Sequence, residues 1–171
     1  DQGRLILDDL DTLLTERTKV VALGHVSNAL GTINPIKQIA AAAKKVGALV
    51  VIDGAQGAVH TKVDVQDLGV DCYAFSGHKM CGPTGIGVLW ARKELLESMH
   101  PYQGGGEMIH IVGRDESSWA EVPHKFEAGT PNIAGAIGMG AAVDFLGTIG
   151  MDAIAAHERD LMEYAVEQVG A

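Results

Sequence analysis

The chain has 171 residues, 47% of them hydrophobic, which is enough apolar side chain to bury a core and the size of a single domain. Its 13 lysines and arginines against 22 aspartates and glutamates leave a formal charge of −9, which argues against a nucleic-acid or anionic-membrane partner. No stretch is long and apolar enough to cross a bilayer, and no charged, then apolar, then small-residue signal opens the chain.

In chain order, the β-branched run Lys19 to Leu23 reads as a strand. A helix follows, opening at Pro35 and running to Lys45, with Ile36, Ile39, Ala40 and Ala43 at helical spacing and Gly47 placed to end it. Ala48 to Ile52 is apolar again and ends in Asp53, so this stretch reads as strand, helix, strand, long enough for a parallel crossover. A short element around Val65 to Leu68 leads into a further strand, Asp71 to Phe75. Ile86 to Trp90 is one more, an antiparallel return because only a glycine-rich turn separates it from Lys79. Tyr102 to Lys125 carries Gly104-Gly105-Gly106 and no sustained period, and reads as a long excursion with a short hairpin. Asn132 to Gly147 is helical, with Ile133, Ile137, Ala141 and Phe145 on one face. Asp152 to Val169 repeats the pattern through Ile154, Leu161 and Ala165. The fold class is α/β, a mostly parallel sheet flanked by helices.

In such a sheet, Asn28, Asp53, Gln56 and the segment Ser76 to Lys79 gather beyond one carboxyl edge, where ligands of α/β sheets bind. Lys79 ends one apolar run and Asp53 another. A lysine and an acid displayed in this way are what pyridoxal phosphate requires: the amine holds the aldehyde as a Schiff base, and the carboxylate keeps the ring nitrogen protonated. Taken singly, Lys79 is an ordinary surface lysine and Asp53 a helix cap. The flanking residues reverse both readings. His78 and Cys81 have no second Cys/His pair at ligand spacing, so no metal is expected. Gly82 to Gly87 lacks the Gly-Lys-Ser/Thr ending of a P-loop and reads as a tight turn. His25, His60, His110 and His124 are scattered and read as core, turn or surface residues. Cys72 and Cys81 give no disulfide framework, which fits a reducing, cytoplasmic setting.

Three ordered segments carry a family resemblance: Asp53-Gly54-Ala55-Gln56-Gly57, the run Ser76-Gly77-His78-Lys79-Met80-Cys81-Gly82-Pro83-Thr84-Gly85-Ile86-Gly87, and Phe126-Glu127-Ala128-Gly129-Thr130-Pro131-Asn132. Together they resemble the Suf-type (group II) cysteine desulfurases, fold-type I pyridoxal-phosphate enzymes of the class V aminotransferase group that are related to the selenocysteine lyases. The resemblance covers essentially all 171 residues. It implies that residues 1–171 are part of the large cofactor-binding domain of the aspartate-aminotransferase-like fold, with the last helices approaching the junction to a C-terminal domain. The absence of an initial methionine before Asp1-Gln2-Gly3-Arg4, and an end at Gly170-Ala171, agree with a piece of a longer protein.

Position by position, the resemblance implies that Lys79 bonds the cofactor and moves protons at the substrate Cα. Asp53 pairs with the ring nitrogen. Asn28 and Gln56 lie near the phenolic oxygen and the substrate side of the ring. Ser76 and His78 are phosphate ligands, and Thr130 with the Gly129 backbone reaches the phosphate in a partner subunit's site, which implies a homodimer. The implied reaction turns L-cysteine into L-alanine and an enzyme persulfide, supplying sulfur through an acceptor protein to iron-sulfur cluster assembly. The family's persulfide cysteine and carboxylate-binding arginine match nothing in this chain. Selenocysteine lyase or small-aminotransferase activity, or an inert structural fragment, are the competing readings.

Overall fold

The structure is a computed structural model that describes residues 3–170; the termini noted above, Asp1, Gln2 and Ala171, lie outside the described residues. A single helical turn, α1 (Leu10–Leu13), precedes the sheet. The first β-branched run forms β1 (Val20–Gly24), and the run after Gly47 forms β2 (Leu49–Asp53), paired in parallel from Val20 opposite Leu49 to Gly24 opposite Asp53. Between them α2 (Ile36–Lys45) buries Ile36, Ile39, Ala40 and Ala43, the four residues whose spacing predicts it. It ends because Gly47 adopts a left-handed φ of 74°, a backbone state that glycine enters without steric cost.

The second crossover contains two single-turn helices, α3 (Gly57–His60) and α4 (Val65–Leu68). Asp64 caps α4, its side chain accepting from the Gln66 and Asp67 amides, and Gly69 at φ 70° closes it. β3 (Cys72–Ser76) then pairs in parallel with β2, placing Ile52 opposite Tyr73 and Asp53 opposite Ala74. β4 (Gly87–Ala91) returns antiparallel, as the short turn requires, giving the order β1-β2-β3-β4.

Strand alternation assigns the two faces. Val50, Ile52 and Tyr73 join Ile36, Ala40 and Ala43 of α2 in the main core. Asp53, Ala74 and Ser76 lie on the opposite face, where Leu89 stays 59% exposed. Beyond β4 comes α5 (Lys93–Ser98), which no sequence pattern announces, and the expected hairpin follows as β5 (Ile109–Val112) and β6 (Ser117–Trp119).

The last two helices form as predicted, but the faces named from their spacing are not the covered ones in the first and only partly so in the second. In α6 (Ile133–Ile149) the buried residues are Gly135, Met139, Ala142 and Leu146, whereas Ile137, on the Ile133-to-Phe145 face, is 71% exposed. The helix is apolar all round, so spacing alone does not single out the covered face, and the small Gly135 and Ala142 side is the one that is buried. Met139 and Leu146 pack with Met80 beside Phe75 and Ile86. After a bend of 74° at Gly150, α7 (Met151–Val169) contributes Met151 and Ile154 to that cluster, while Leu161 is exposed.

One buried acid ties β2 and β3 together. The Asp71 carboxylate accepts from the Val50 amide at 2.8 Å and lies 3.5 Å from the Arg92 guanidinium. Val50 is fully buried, so removing its acceptor strands an N–H. The Asp71→Ala variant is therefore expected to lose about 1–3 kcal/mol of stability, read as a lowered denaturant midpoint at unchanged m-value.

Candidate active site

Asp53 is the last residue of β2, and its environment is built by the turn that follows. Its Oδ1 accepts from the Ala55 amide at 2.9 Å, and its backbone carbonyl accepts from His25 N–H at 2.8 Å. The turn is pinned to β3 by Gly54 N–H, which donates to the Ala74 carbonyl at 2.7 Å. Beneath it lies Tyr73, 1% exposed, whose hydroxyl is 2.9 Å from His25 Nδ1, the two rings meeting edge to face. The approach is so close that a Cβ on Gly54 would fall 1.9 Å from Tyr73 Cε1, and one on Gly57 would fall 2.5 Å from His25 Nδ1. Both glycines of Asp53-Gly54-Ala55-Gln56-Gly57 are thus explained by the ring below.

Burial pushes the Tyr73 phenol up to about 12, and the nearby Asp53 charge adds to that rise. Burial also lowers His25 below its ordinary value. Both members are consequently neutral near pH 7.

Lys79 closes a single 3-10 turn, Gly77 to Lys79, directly after β3. The Gly77 amide donates to the Ile86 carbonyl, and the Met80 and Gly82 amides both donate to the Gly77 carbonyl. A Cβ on Gly82 would sit 2.8 Å from that carbonyl oxygen, so the tight turn expected here needs its glycine. Met80 anchors the turn in the α6 cluster. Ser76 is half-buried, while His78 and Lys79 are exposed. Among the described residues, neither Lys79 nor Asp53 takes part in a salt bridge.

The third motif segment reaches the lysine turn from the other side. Asn132 caps α6 by accepting from the Gly135 amide, and its Nδ2 donates to the Gly85 carbonyl at 3.2 Å. Gly129, at φ 81°, donates its amide to the Gly106 carbonyl, and Thr130 beside it is exposed. Asn28 rides on the loop closed by the Val26–Ile33 bridge, and together with Gln56 it lines a cavity of about 740 Å³ walled by α7. On that wall His60 Nδ1 meets Glu158 Oε1 at 2.7 Å. Asp53, Ser76, His78, Lys79, Gly129 and Thr130 do not line this cavity. The predicted residues therefore fall into three places: Asp53, Ser76, His78 and Lys79 at the ends of β2 and β3, Asn28 and Gln56 on the cavity beyond β1, and Gly129 and Thr130 on the loop that bonds Gly106.

Residues 1–171 match, from end to end, the family described as aminotransferase class-V. The chain belongs to that family. Among similar sequences, a protein from Streptomyces coelicolor named probable cysteine desulfurase is 58% identical over 169 residues, covering 99% of this chain. Another of the same name from Halalkalibacterium halodurans is 56% identical over 167 residues and 98% of the chain. The class-V chain spans 40% and 41% of those two relatives. Among solved structures, a cysteine desulfurase from Escherichia coli superposes with a TM-score of 0.93 at 44% identity, covering 96% of this chain and 41% of that one. The apo cysteine desulfurase from Thermococcus onnurineus gives 0.92 at 42% identity, covering 97% and 42%. The mostly parallel, helix-flanked architecture expected from the sequence is therefore that of this class-V group.

Sequence reasoning placed His25 among core, turn or surface residues and gave Tyr73 no role. The usable signal was the pair of glycines after Asp53, which marks a large side chain pressed against that turn.

The two neutral rings predict a bounded pH range for the fold. His25 is lowered, so its contribution is complete above 6.5 and is lost as pH falls through its folded value. Tyr73 is raised, so its contribution is complete below 10.0 and is lost as pH climbs through about 12. Denaturant titrations of the whole protein across pH should show stability declining on both limbs, with the alkaline decline removed in Tyr73→Phe.

Proposed function

We propose that the whole protein is a pyridoxal-phosphate-dependent cysteine desulfurase. It converts L-cysteine and an enzyme thiol to L-alanine and an enzyme persulfide, a balanced exchange in which the C–S bond breaks and an S–S bond forms. The observation that carries this reading is the pairing of strand ends. Asp53 finishes β2 in register with Ala74, and Lys79 follows five residues after Ala74 in the turn that leaves β3, leaving a carboxylate and an amine at one sheet edge with no ion partner among the described residues. The names of the similar proteins support the substrate.

The donor set suits the cofactor. Pyridoxal phosphate, when bound, supplies an aldehyde and an electron-withdrawing ring. Asp53, its Oδ1 accepting from Ala55 N–H, would hold a proton on the ring nitrogen. Lys79 would hold the cofactor through its amine, and the same amine is placed to move the proton at the substrate Cα. Ser76 and His78 would bind the phosphate, and Asn28 and Gln56 would lie near the phenolic oxygen and the substrate side of the ring.

The reading extends to partners. A second copy supplies Gly129 and Thr130 to the phosphate, forming a homodimer, and the exposed apolar face through Ile133, Ile137 and Phe145 supports burial of α6 against further protein. The sulfur passes to an acceptor protein for iron-sulfur cluster assembly.

Neither cysteine of this chain is the sulfur acceptor. Cys72 is buried in β3, and burial together with the Asp71 charge pushes its thiol up, away from the reactive thiolate. Cys81 is exposed but sits in the lysine turn at a left-handed φ of 63°. In the whole protein, Cys81→Ser should retain persulfide formation within about twofold, measured by sulfide release with a thiol reductant; it is a surface change of small volume.

The Lys79→Ala variant should slow alanine release from L-cysteine by about a thousandfold or more, the scale of losing a positioned acid-base group. A rate near that of the parent removes Lys79 from the mechanism. Pyruvate-dependent transamination without persulfide would instead favour an aminotransferase, and preferential turnover of L-selenocysteine a lyase.

A further inference from the structure

We propose that His25 and Tyr73 are positioning residues for the Asp53 carboxylate: their buried hydrogen bond forms the floor on which the turn Gly54 to Gly57 rests. The inference rests on the cofactor site proposed above and goes beyond it, because neither side chain belongs to the set that would touch the cofactor.

Three contacts carry the argument. The His25 amide holds the Asp53 carbonyl at 2.8 Å, which fixes the peptide at the end of β2. The Tyr73 ring lies directly under Gly54, and the Tyr73 hydroxyl and His25 Nδ1 bracket Gly57, each closer than 3 Å to where a Cβ would stand. Between those glycines lies Ala55, whose amide orients Asp53 Oδ1. Any shift of the ring pair is transmitted through the rigid turn to this amide and thence to the carboxylate. The Asn34 amide completes the support by donating to the His25 carbonyl, while its Nδ2 donates to Gly24 O.

The neutrality of the pair matters to its role. A buried phenol and an uncharged imidazole place no competing charge beneath Asp53, so they steer the carboxylate without pairing with it or repelling it.

The test is a double-mutant cycle on the full-length protein, read as pyridoxal phosphate affinity by absorbance titration of the apoprotein and as the pH dependence of the bound cofactor's visible spectrum. Tyr73→Phe keeps the ring that fills the space under Gly54 and removes only the hydroxyl. It should weaken cofactor binding by about fivefold to tenfold, the value of one hydrogen bond, and shift the spectral titration in the same direction as Asp53→Asn. Because Tyr73 acts through Asp53, adding Tyr73→Phe to Asp53→Asn should cost less than about twofold more. His25→Gln provides the same cycle should the phenylalanine variant not fold. Effects that multiply, or a Tyr73→Phe variant indistinguishable from the parent in both readouts, overturn the positioning role while leaving the site intact. An Asp53→Asn variant that binds cofactor as the parent does, with an unchanged spectrum, overturns the site itself and the positioning role with it.

Discussion

Parallel pairing of β2 with β3 sets Ile52 opposite Tyr73 and Asp53 opposite Ala74, and the remaining geometry of the site depends on that register. Side chains alternate between faces, so a slip by one residue would carry Asp53 into the apolar core if β2 moved, or turn Tyr73 out of it if β3 did. The register is held by burial on one side only: Val50, Ile52 and Tyr73 pack against α2, whereas Asp53 and Ser76 remain on the face without that cover. Asp71 reinforces it from the amino end, where its carboxylate accepts from Val50 N–H. A hydrophobic constraint therefore fixes the height at which the acid and the lysine turn leave the sheet.

The lysine turn is supported from a different quarter. Met80 reaches into the cluster made by Met139 and Leu146 of α6, and Asn132, the cap of the same helix, donates to Gly85 on the far limb of the turn. α6 thus grips the turn at both ends. Gly138 serves this purpose, since a Cβ there would lie 3.2 Å from Pro83 Cγ. The same helix joins the third motif segment to the second, so residues separated by about fifty positions in sequence converge at one edge.

The sequence made much of this legible because the signals were local. Short apolar, β-branched runs, a helix bracketed by Pro35 and Gly47, and a glycine turn too short for a crossover were sufficient for β1 to β4 and α2. Local signals do not say which side of an element is covered. In α6, apolar residues occupy every face, and the choice of the Met139-to-Leu146 side is made by small residues that admit the lysine turn, a tertiary fact. The six-residue α5 was missed for a related reason: it buries no residue and so leaves no amphipathic stripe to detect. The candidate site was legible as three motif segments, whereas the division between the Asn28–Gln56 cavity and the Asp53–Lys79 edge depends on where α7 packs.

The chemistry beneath Asp53 follows from what the alternatives would do. A lysine or arginine in place of His25 would form an ion pair with the carboxylate and withdraw it from any cationic ligand, at the further cost of desolvating a charge. A second acid would repel it. An aliphatic residue in place of His25 would leave the Tyr73 phenol without a partner in a site 1% exposed, a cost of about 1–3 kcal/mol. A phenol bonded to an uncharged imidazole avoids all three penalties, and its flat ring can lie within contact of two successive glycine positions. Those glycines give up conformational freedom that alanine would not, a destabilisation of roughly 0.5–1 kcal/mol each, and the close approach of the ring offsets it. The local sequence is therefore less stable than it could be on its own, and gains in return a carboxylate whose direction is set by the backbone rather than by its own rotamers.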